Sequence, residues 1–381
     1  MALVEAAQAG TVQQPSRAFL SPAFDFLCLG GGSLVLLPVL VWVIPDTADA
    51  SALYLAMLLS NSINHPHFVH SYQIFYRTFG AVVGNPSTDR KLQARYLWAG
   101  IGAPILIALC FAAALWLGDA RTLGYAGNAM AFFVGWHYVK QGYGMLMVDA
   151  ALRRSYFGST EKKILLVNSY ACWILAWMAG NKAIAEGDFW GLAFATFDIP
   201  VALLWGGAGV VAATTILTAL VLFRHARAHR DGIPVNGIAA YVAALYPWLL
   251  MIREPVLGTL IPAMHSLQYL VIVWRYQLNV ERAKPDAGDH FPRLKAFRIA
   301  PSKGTLRFAD FIFRGTVLGV FSFWIVPYIL SVTVPYDHAQ YGDYLFFFVL
   351  IIFINIHHYF IDNAMWRKEN PHTLTRLFAR S

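Results

Sequence analysis

Apolar runs of about twenty residues recur along the chain, separated by short polar stretches, and runs of this length cross a bilayer core as helices. They fall near 24–44, 52–75, 96–117, 126–148, 164–180, 201–223, 238–252, 256–275, 315–334 and 343–361, which predicts ten helices. The seventh is short enough to be re-entrant, and only Arg253, Glu254 and Pro255 separate it from the eighth. Backbone N–H and C=O groups in hydrocarbon must find partners within the chain, so the expected fold is an all-α polytopic transmembrane helical bundle. No internal repeat, low-complexity tract or soluble domain breaks the pattern, and 1–381 reads as a single transmembrane domain.

Composition agrees with the pattern. Of the 381 residues, 58% are hydrophobic, 15% aromatic and only 13% charged, whereas soluble domains carry about 25% charged residues. The net charge of +8 would suggest nucleic acid in a soluble protein. Here the basic residues sit in short loops between apolar runs, where they set topology, and no nucleic-acid role is read. Cys28, Cys110 and Cys172 all lie in apolar runs, so neither a disulfide framework nor a CxxC metal site is indicated.

The charge distribution orients the bundle. Arg77, Arg90, Lys91 and Arg95 follow the second run, Arg153, Arg154, Lys162 and Lys163 the fourth, and Arg224, Arg227 and Arg230 the sixth. The same side receives 276–307 and the segment with Arg367, Lys368, Arg376 and Arg380. The opposite loops, among them DTADA and PYDHAQYGD, are poor in Lys and Arg. The positive-inside rule then places both termini in the cytoplasm and the chain in the inner (cytoplasmic) membrane. On this reading 1–23 is a cytoplasmic tail, 276–307 a basic cytoplasmic loop near anionic headgroups, and 362–381 a second cytoplasmic tail. The GGGS run at 30–33 is a close-packing element of the first helix.

Histidine placement carries the functional signal. His65, His67, His70, His137, His265, His357 and His358 lie inside the second, fourth, eighth and tenth runs. Ionisable groups at membrane depth cost roughly 2.5–3.5 kcal/mol on insertion scales, so they default to functional roles with named partners. These four helices all run from outside to inside, and at 1.5 Å per residue the histidines fall between the midplane and the cytoplasmic interface. Ten-helix packing can bring the four polar faces together in one inner-leaflet cavity.

Neighbours at helical spacing extend the set. In NHPHFVHSYQ, Asn64, His67 and His70 are spaced three apart; His137 and Gln141 are i, i+4, with Lys140 between them; Gln268 follows His265 by one turn; and Asn355, His358 and Asp362 share a face. His65, His67, His70, His137, His265, His357, His358 and Asp362 are the candidate metal ligands. Gln141, Gln268 and Asn355 are candidates to hold the cofactor from behind, and Tyr138, Lys140 and Tyr269 are the catalytic candidates beside it. Many imidazoles with few carboxylates suit iron, copper or zinc, and two iron ions would use about this number of side chains while leaving positions for oxygen.

With these clusters, HPHFVH and HHYFID, the chain resembles the integral-membrane, histidine-rich oxygenases and desaturases. The likeness is one of pattern and covers the histidine helices only. Those enzymes carry HxxxH and HxxHH boxes, and neither HPHFVH nor HHYFID matches one literally. The resemblance implies two irons held between transmembrane helices, dioxygen as co-substrate, an electron donor, and an apolar or lipid-like substrate entering from the bilayer. It implies oxidation of unactivated C–H or C=C bonds. The bacterial membrane oxygenases that cleave carotene to retinal are similar in the same limited way. Two other classes remain open: a haem-binding electron-transfer protein with His137 and His265 as axial ligands, and a proton-coupled transporter using the histidines, Lys140 and Asp362 as a relay.

Overall fold

The computed structural model describes residues 18–43, 50–183, 187–252, 255–289, 301–367 and 369–378. They are almost entirely helical, and a two-residue hairpin, β1 (Asp188–Phe189) with β2 (Leu192–Ala193), is the sheet among them. In chain order, α1 (Pro22–Phe26) passes through a π turn, Leu27–Gly31, into α2 (Gly32–Val43), followed by α3 (Ala50–Val83). Next, α4 (Arg90–Leu97) continues through a π turn, Trp98–Gly102, into α5 (Ala103–Leu117). Then come α6 (Ala120–Leu152), α7 (Ser159–Ala183), α8 (Val201–Ala228), α9 (Val235–Met251) and α10 (Ile261–Arg282). A third π turn, Phe321–Ile325, joins α11 (Lys303–Val320) to α12 (Val326–Thr333), and α13 (His338–Tyr341), α14 (Leu345–Met365) and α15 (Pro371–Leu377) complete the chain.

Each of the ten apolar runs folds as helix. Among the described residues, seven segments are long and apolar enough to cross a membrane: Pro22–Val39, Arg90–Leu117, Ser159–Lys182, Val201–Ala228, Leu257–Arg282, Lys303–Thr333 and Leu345–Met365. The 34-residue α3 and 33-residue α6 exceed them in length but carry polar faces, and α9 is a shorter apolar helix of 17 residues. Trp116, Leu117, Trp205, Phe313 and Val332 stand exposed on the outside, a surface for lipid rather than water. By composition this is an all-α membrane protein.

Without a hydrophobic drive between helices in lipid, association rests on close packing and interhelical hydrogen bonds. The π turn after α1 uses both. Gly30 takes φ +154° there, and a Cβ on it would lie 2.5 Å from the Ala239 carbonyl oxygen, so α9 packs directly on the glycine backbone. The turn releases the Leu29 carbonyl, which accepts from Gln268 Nε2 at 2.7 Å, tying α10 to the turn. On α11, Gly315 and Gly319 form a flat strip against α3, where a Cβ at 315 would overlap the His70 ring.

Two segment boundaries differ from the sequence reading. The segment 276–307 is not loop throughout: α10 runs on to Arg282 and α11 starts at Lys303. Arg307 bridges the two ends, donating Nε to Glu281 at 2.7 Å and forking onto Asp286 at 3.1 Å, and its guanidinium holds the Asp286 carboxyl below the usual carboxylate value. Residues 290–300 lie outside the described residues. In 362–381, α14 continues to Met365 and α15 folds back onto α10; of the proposed tail 1–23, residues 1–17 lie outside the described residues. Buried Arg275 of α10 gathers both ends, donating to the carbonyls of Ala18 at 2.7 Å, Phe19 at 2.8 Å and Leu377 at 2.6 Å. A buried carbonyl left without a donor costs about 1–3 kcal/mol.

Arg275→Met is therefore expected to destabilise the folded state by roughly 2–4 kcal/mol and to speed tryptic cleavage at Arg376, read by thermal unfolding in detergent and by timed proteolysis. Unchanged proteolysis would show that the clamp does not hold the ends. Gly30→Ala, which adds a Cβ where φ is positive and space is absent, is expected to lower the melting temperature by the equivalent of more than about 2 kcal/mol.

Candidate functional site

Four helices meet, and each brings one histidine inward: His67 from α3, His137 from α6, His265 from α10 and His358 from α14. Their rings form a closed circuit, with centroids 5.2 Å apart for His67 and His265, 5.0 Å for His265 and His137, 5.1 Å for His137 and His358, and 4.8 Å for His358 and His67. Asp362, one turn after His358, places Oδ2 3.3 Å from His358 Nε2 and 3.5 Å from His137 Nε2. Two groups capable of holding a metal ion occur here among the described residues, His67 with His265 and His358, and His137 with His358 and Asp362. Within each group the ligand atoms lie within 4.8 Å of one another. All five residues are buried.

The polar atoms that point inward lack protein partners. His67 Nε2, His137 Nε2, both ring nitrogens of His265 and His358, and Asp362 Oδ2 are buried without a hydrogen bond. Packing alone does not favour such an arrangement, because an unmet buried donor or acceptor costs about 1–3 kcal/mol. A cation would take up one lone pair from each of the five residues.

The surrounding groups fix how the ligands point. His67 Nδ1 lies 2.6 Å from the Asn64 carbonyl oxygen and 2.9 Å from Ser266 Oγ. A carbonyl only accepts, so Nδ1 carries the proton and Nε2 turns its lone pair into the group. Asp362 Oδ1 accepts from the Tyr269 hydroxyl at 2.8 Å, leaving Oδ2 to face the histidines. The Tyr269 hydroxyl in turn accepts from Trp366 Nε1 at 3.1 Å and sits 2.5 Å from Ser71 Oγ. Tyr138 stacks on His265 at 3.6 Å and Tyr359 on His137 at 4.6 Å.

The remaining sequence candidates sit elsewhere. His65 stacks on Phe323 at 4.1 Å and its Nδ1 accepts from Trp324 Nε1 at 3.2 Å. His70 faces α11, stacked on Phe311 at 4.4 Å, with Nδ1 2.9 Å from Gln73 Oε1. Both nitrogens of His357 are engaged, Nδ1 with the Tyr72 hydroxyl and Nε2 with the Ala99 carbonyl, each at 2.8 Å. None of the three belongs to either group. Gln268 spends Nε2 on the carbonyls of Leu29 and Ala240, and Gln141 donates to the His265 carbonyl at 3.0 Å, so both tie helices together behind the ligands. Asn355 Oδ1 accepts from the Tyr359 hydroxyl at 3.1 Å. Ser71, Ser266, Asn363 and Trp366 were not singled out in the sequence, although Ser71, Ser266 and Asn363 each adjoin a residue that was.

A cavity of about 610 Å³ reaches the group from one side, touching His137, Tyr269, Tyr359 and Asp362 and running past Met145 and Val148 to α15. Lys140 lies on its wall, donating to Asn363 Oδ1 at 3.2 Å.

His358 belongs to both groups whereas its neighbour His357 belongs to neither, so the two separate a metal role from a packing role. Cobalt(II) titrated into the detergent-solubilised protein is expected to give visible d–d absorption that His358→Ala abolishes and His357→Gln retains. Equal loss in both, with both variants folded, would mean that the convergence of rings holds no metal. The chain matches no family model, no curated protein and no solved structure.

Proposed function

We propose that the chain is a membrane-embedded, metal-dependent oxidoreductase, an oxygenase that acts with dioxygen on an apolar or lipid-like substrate. The observation that carries this reading is the set of unpartnered ligand atoms from four helices converging beside an apolar cavity. Four neutral imidazoles and one carboxylate, with no thiolate in either group, suit iron; zinc and copper share part of that preference. The two groups share His358 and together offer five ligands, which we read as a site for one ion. The two-iron centre expected from the sequence needs more side chains, and His65, His70 and His357 are turned to other partners.

A redox-active ion at this position supplies dioxygen activation. The protein residues do the rest. His67 and Asp362 are oriented through Nδ1 and Oδ1, so that Nε2 and Oδ2 are the atoms presented. Trp136, Tyr359 and Trp366 line the cavity and keep water from the reacting carbon. In a hydroxylation, one oxygen atom of dioxygen enters a C–H bond and the other leaves as water, which consumes two protons and two electrons. An external two-electron donor is therefore part of this reading. The positive-inside pattern adds ten spans, both termini in the cytoplasm, and an inner-membrane location.

A haem held between His137 and His265 fits poorly. Axial imidazoles face each other across the macrocycle, whereas these rings lie 5.0 Å apart at 70° and Tyr138 is stacked on His265 at 3.6 Å.

Elemental analysis of the detergent-purified protein is expected to give about one iron per chain with no Soret band, and none in a His137→Ala, His265→Ala double variant. About two per chain would restore the dinuclear centre, a Soret band would favour haem, and no metal at all would leave the proton relay. Ser266→Ala, which removes a hydroxyl from His67 Nδ1, is expected to weaken metal affinity about 10–100-fold, read by competition with a chelator.

A further inference from the structure

Lys140 and Arg367 stand on the wall of the cavity close to His137 and Asp362. Lys140 is one turn beyond His137, about 4.5 Å along the helix axis, and its ammonium rests 4.5 Å from the Trp136 ring centroid. It donates to Asn363 Oδ1 at 3.2 Å, and Arg367 Nη2 donates to the same oxygen at 2.8 Å. Arg367 Nε is anchored on the Asn363 carbonyl, also at 2.8 Å. Two cations thus share one neutral amide oxygen. Among the described residues neither forms an ion pair with a carboxylate; exposed Glu369, which also lines the cavity, is not paired with them. Like charges held together beside an apolar wall repel, and an anion between them relieves the repulsion with charge-assisted hydrogen bonds.

We infer that the cavity binds a single-chain amphipathic acid, its carboxylate between Lys140 and Arg367 and its apolar chain along Met145, Val148, Ile272 and Leu377. This names the substrate class of the oxygenase and rests on that reading for the chemistry, though not for the binding. A volume of about 610 Å³ suits one chain rather than the two of a phospholipid. An anionic phospholipid headgroup shares the charge chemistry, so the test separates the two.

The probe is a long-chain carboxylic acid carrying an environment-sensitive fluorophore, bound to the full chain in an uncharged detergent and displaced by unlabelled acid, its methyl ester, or phosphatidylglycerol. The acid is expected to compete at least about tenfold better than the ester, and Lys140→Gln with Arg367→Gln to erase that preference while metal content stays as in the parent protein. Equal competition by acid and ester in the unaltered protein, a measurement that needs no variant, would overturn the inference, as would stronger displacement by phosphatidylglycerol. Because binding is read without dioxygen, an acid preference in a protein free of metal would sink the oxygenase reading and leave this site standing. Metal without acid preference would do the reverse.

Discussion

A polar atom inside an apolar bundle has to find a partner or be carried at a cost of about 1–3 kcal/mol, and in this protein seven such atoms on four histidines and one aspartate are buried without hydrogen bonds. Imidazole lone pairs cannot satisfy one another, and a carboxylate oxygen at 3.3–3.5 Å from two of them offers only acceptor capacity. A bound cation would take up one lone pair from each of the five residues, while the second nitrogen of His265 and of His358 would keep its N–H. Around them Ser266, Gln268 and Tyr269 are paired across helices.

Helix α10 is where these pairings meet. It holds α3 through Ser266 and His67, α14 through Tyr269 and Asp362, the π turn and α9 through Gln268, and both chain ends through Arg275. In lipid, hydrogen bonds and close backbone approach do the work that hydrophobic burial does in water. The polar residues of α10 therefore fix the relative heights of the four ligand helices. A shift of one helix along its axis would break a hydrogen bond and displace a ligand together, which couples the rigidity of the bundle to the geometry of the site.

Much of this was legible in the chain, and the remainder was not for one physical reason. Apolar length revealed the helices, and i, i+4 spacing correctly put Asp362 on the face of His358. Rotation about each helix axis was hidden. Successive helical residues are turned about 100°, so adjacent His357 and His358 face different neighbours, and His65 and His67 lie about 200° apart. Even the three-residue spacing of His67 and His70 leaves about a 60° offset, enough to send His70 against Gly315 on α11. Which face turns inward is decided by the packing partner. The π turns and the fold-back of α15 were hidden for the same reason, since both answer contacts made far along the chain.

The arrangement of the five residues is also one-sided, and that bears on how a substrate would approach. His67 and His358 are fully buried, with Phe68 packed 4.0 Å from the first ring and 4.9 Å from the second. His265 is closed off by the Tyr138 ring stacked on it. Only His137 and Asp362 line the cavity. Three histidines therefore form a shielded floor while the fourth, with the carboxylate, forms the edge that a cavity-bound molecule reaches. Asp362 is held from behind by Tyr269, so the carboxylate that meets such a molecule has its position fixed by the polar network. A molecule in this cavity would reach an ion in the ring from this edge, and the carbon presented there would be chosen by where the cavity seats the rest of the chain, not by the intrinsic reactivity of its bonds.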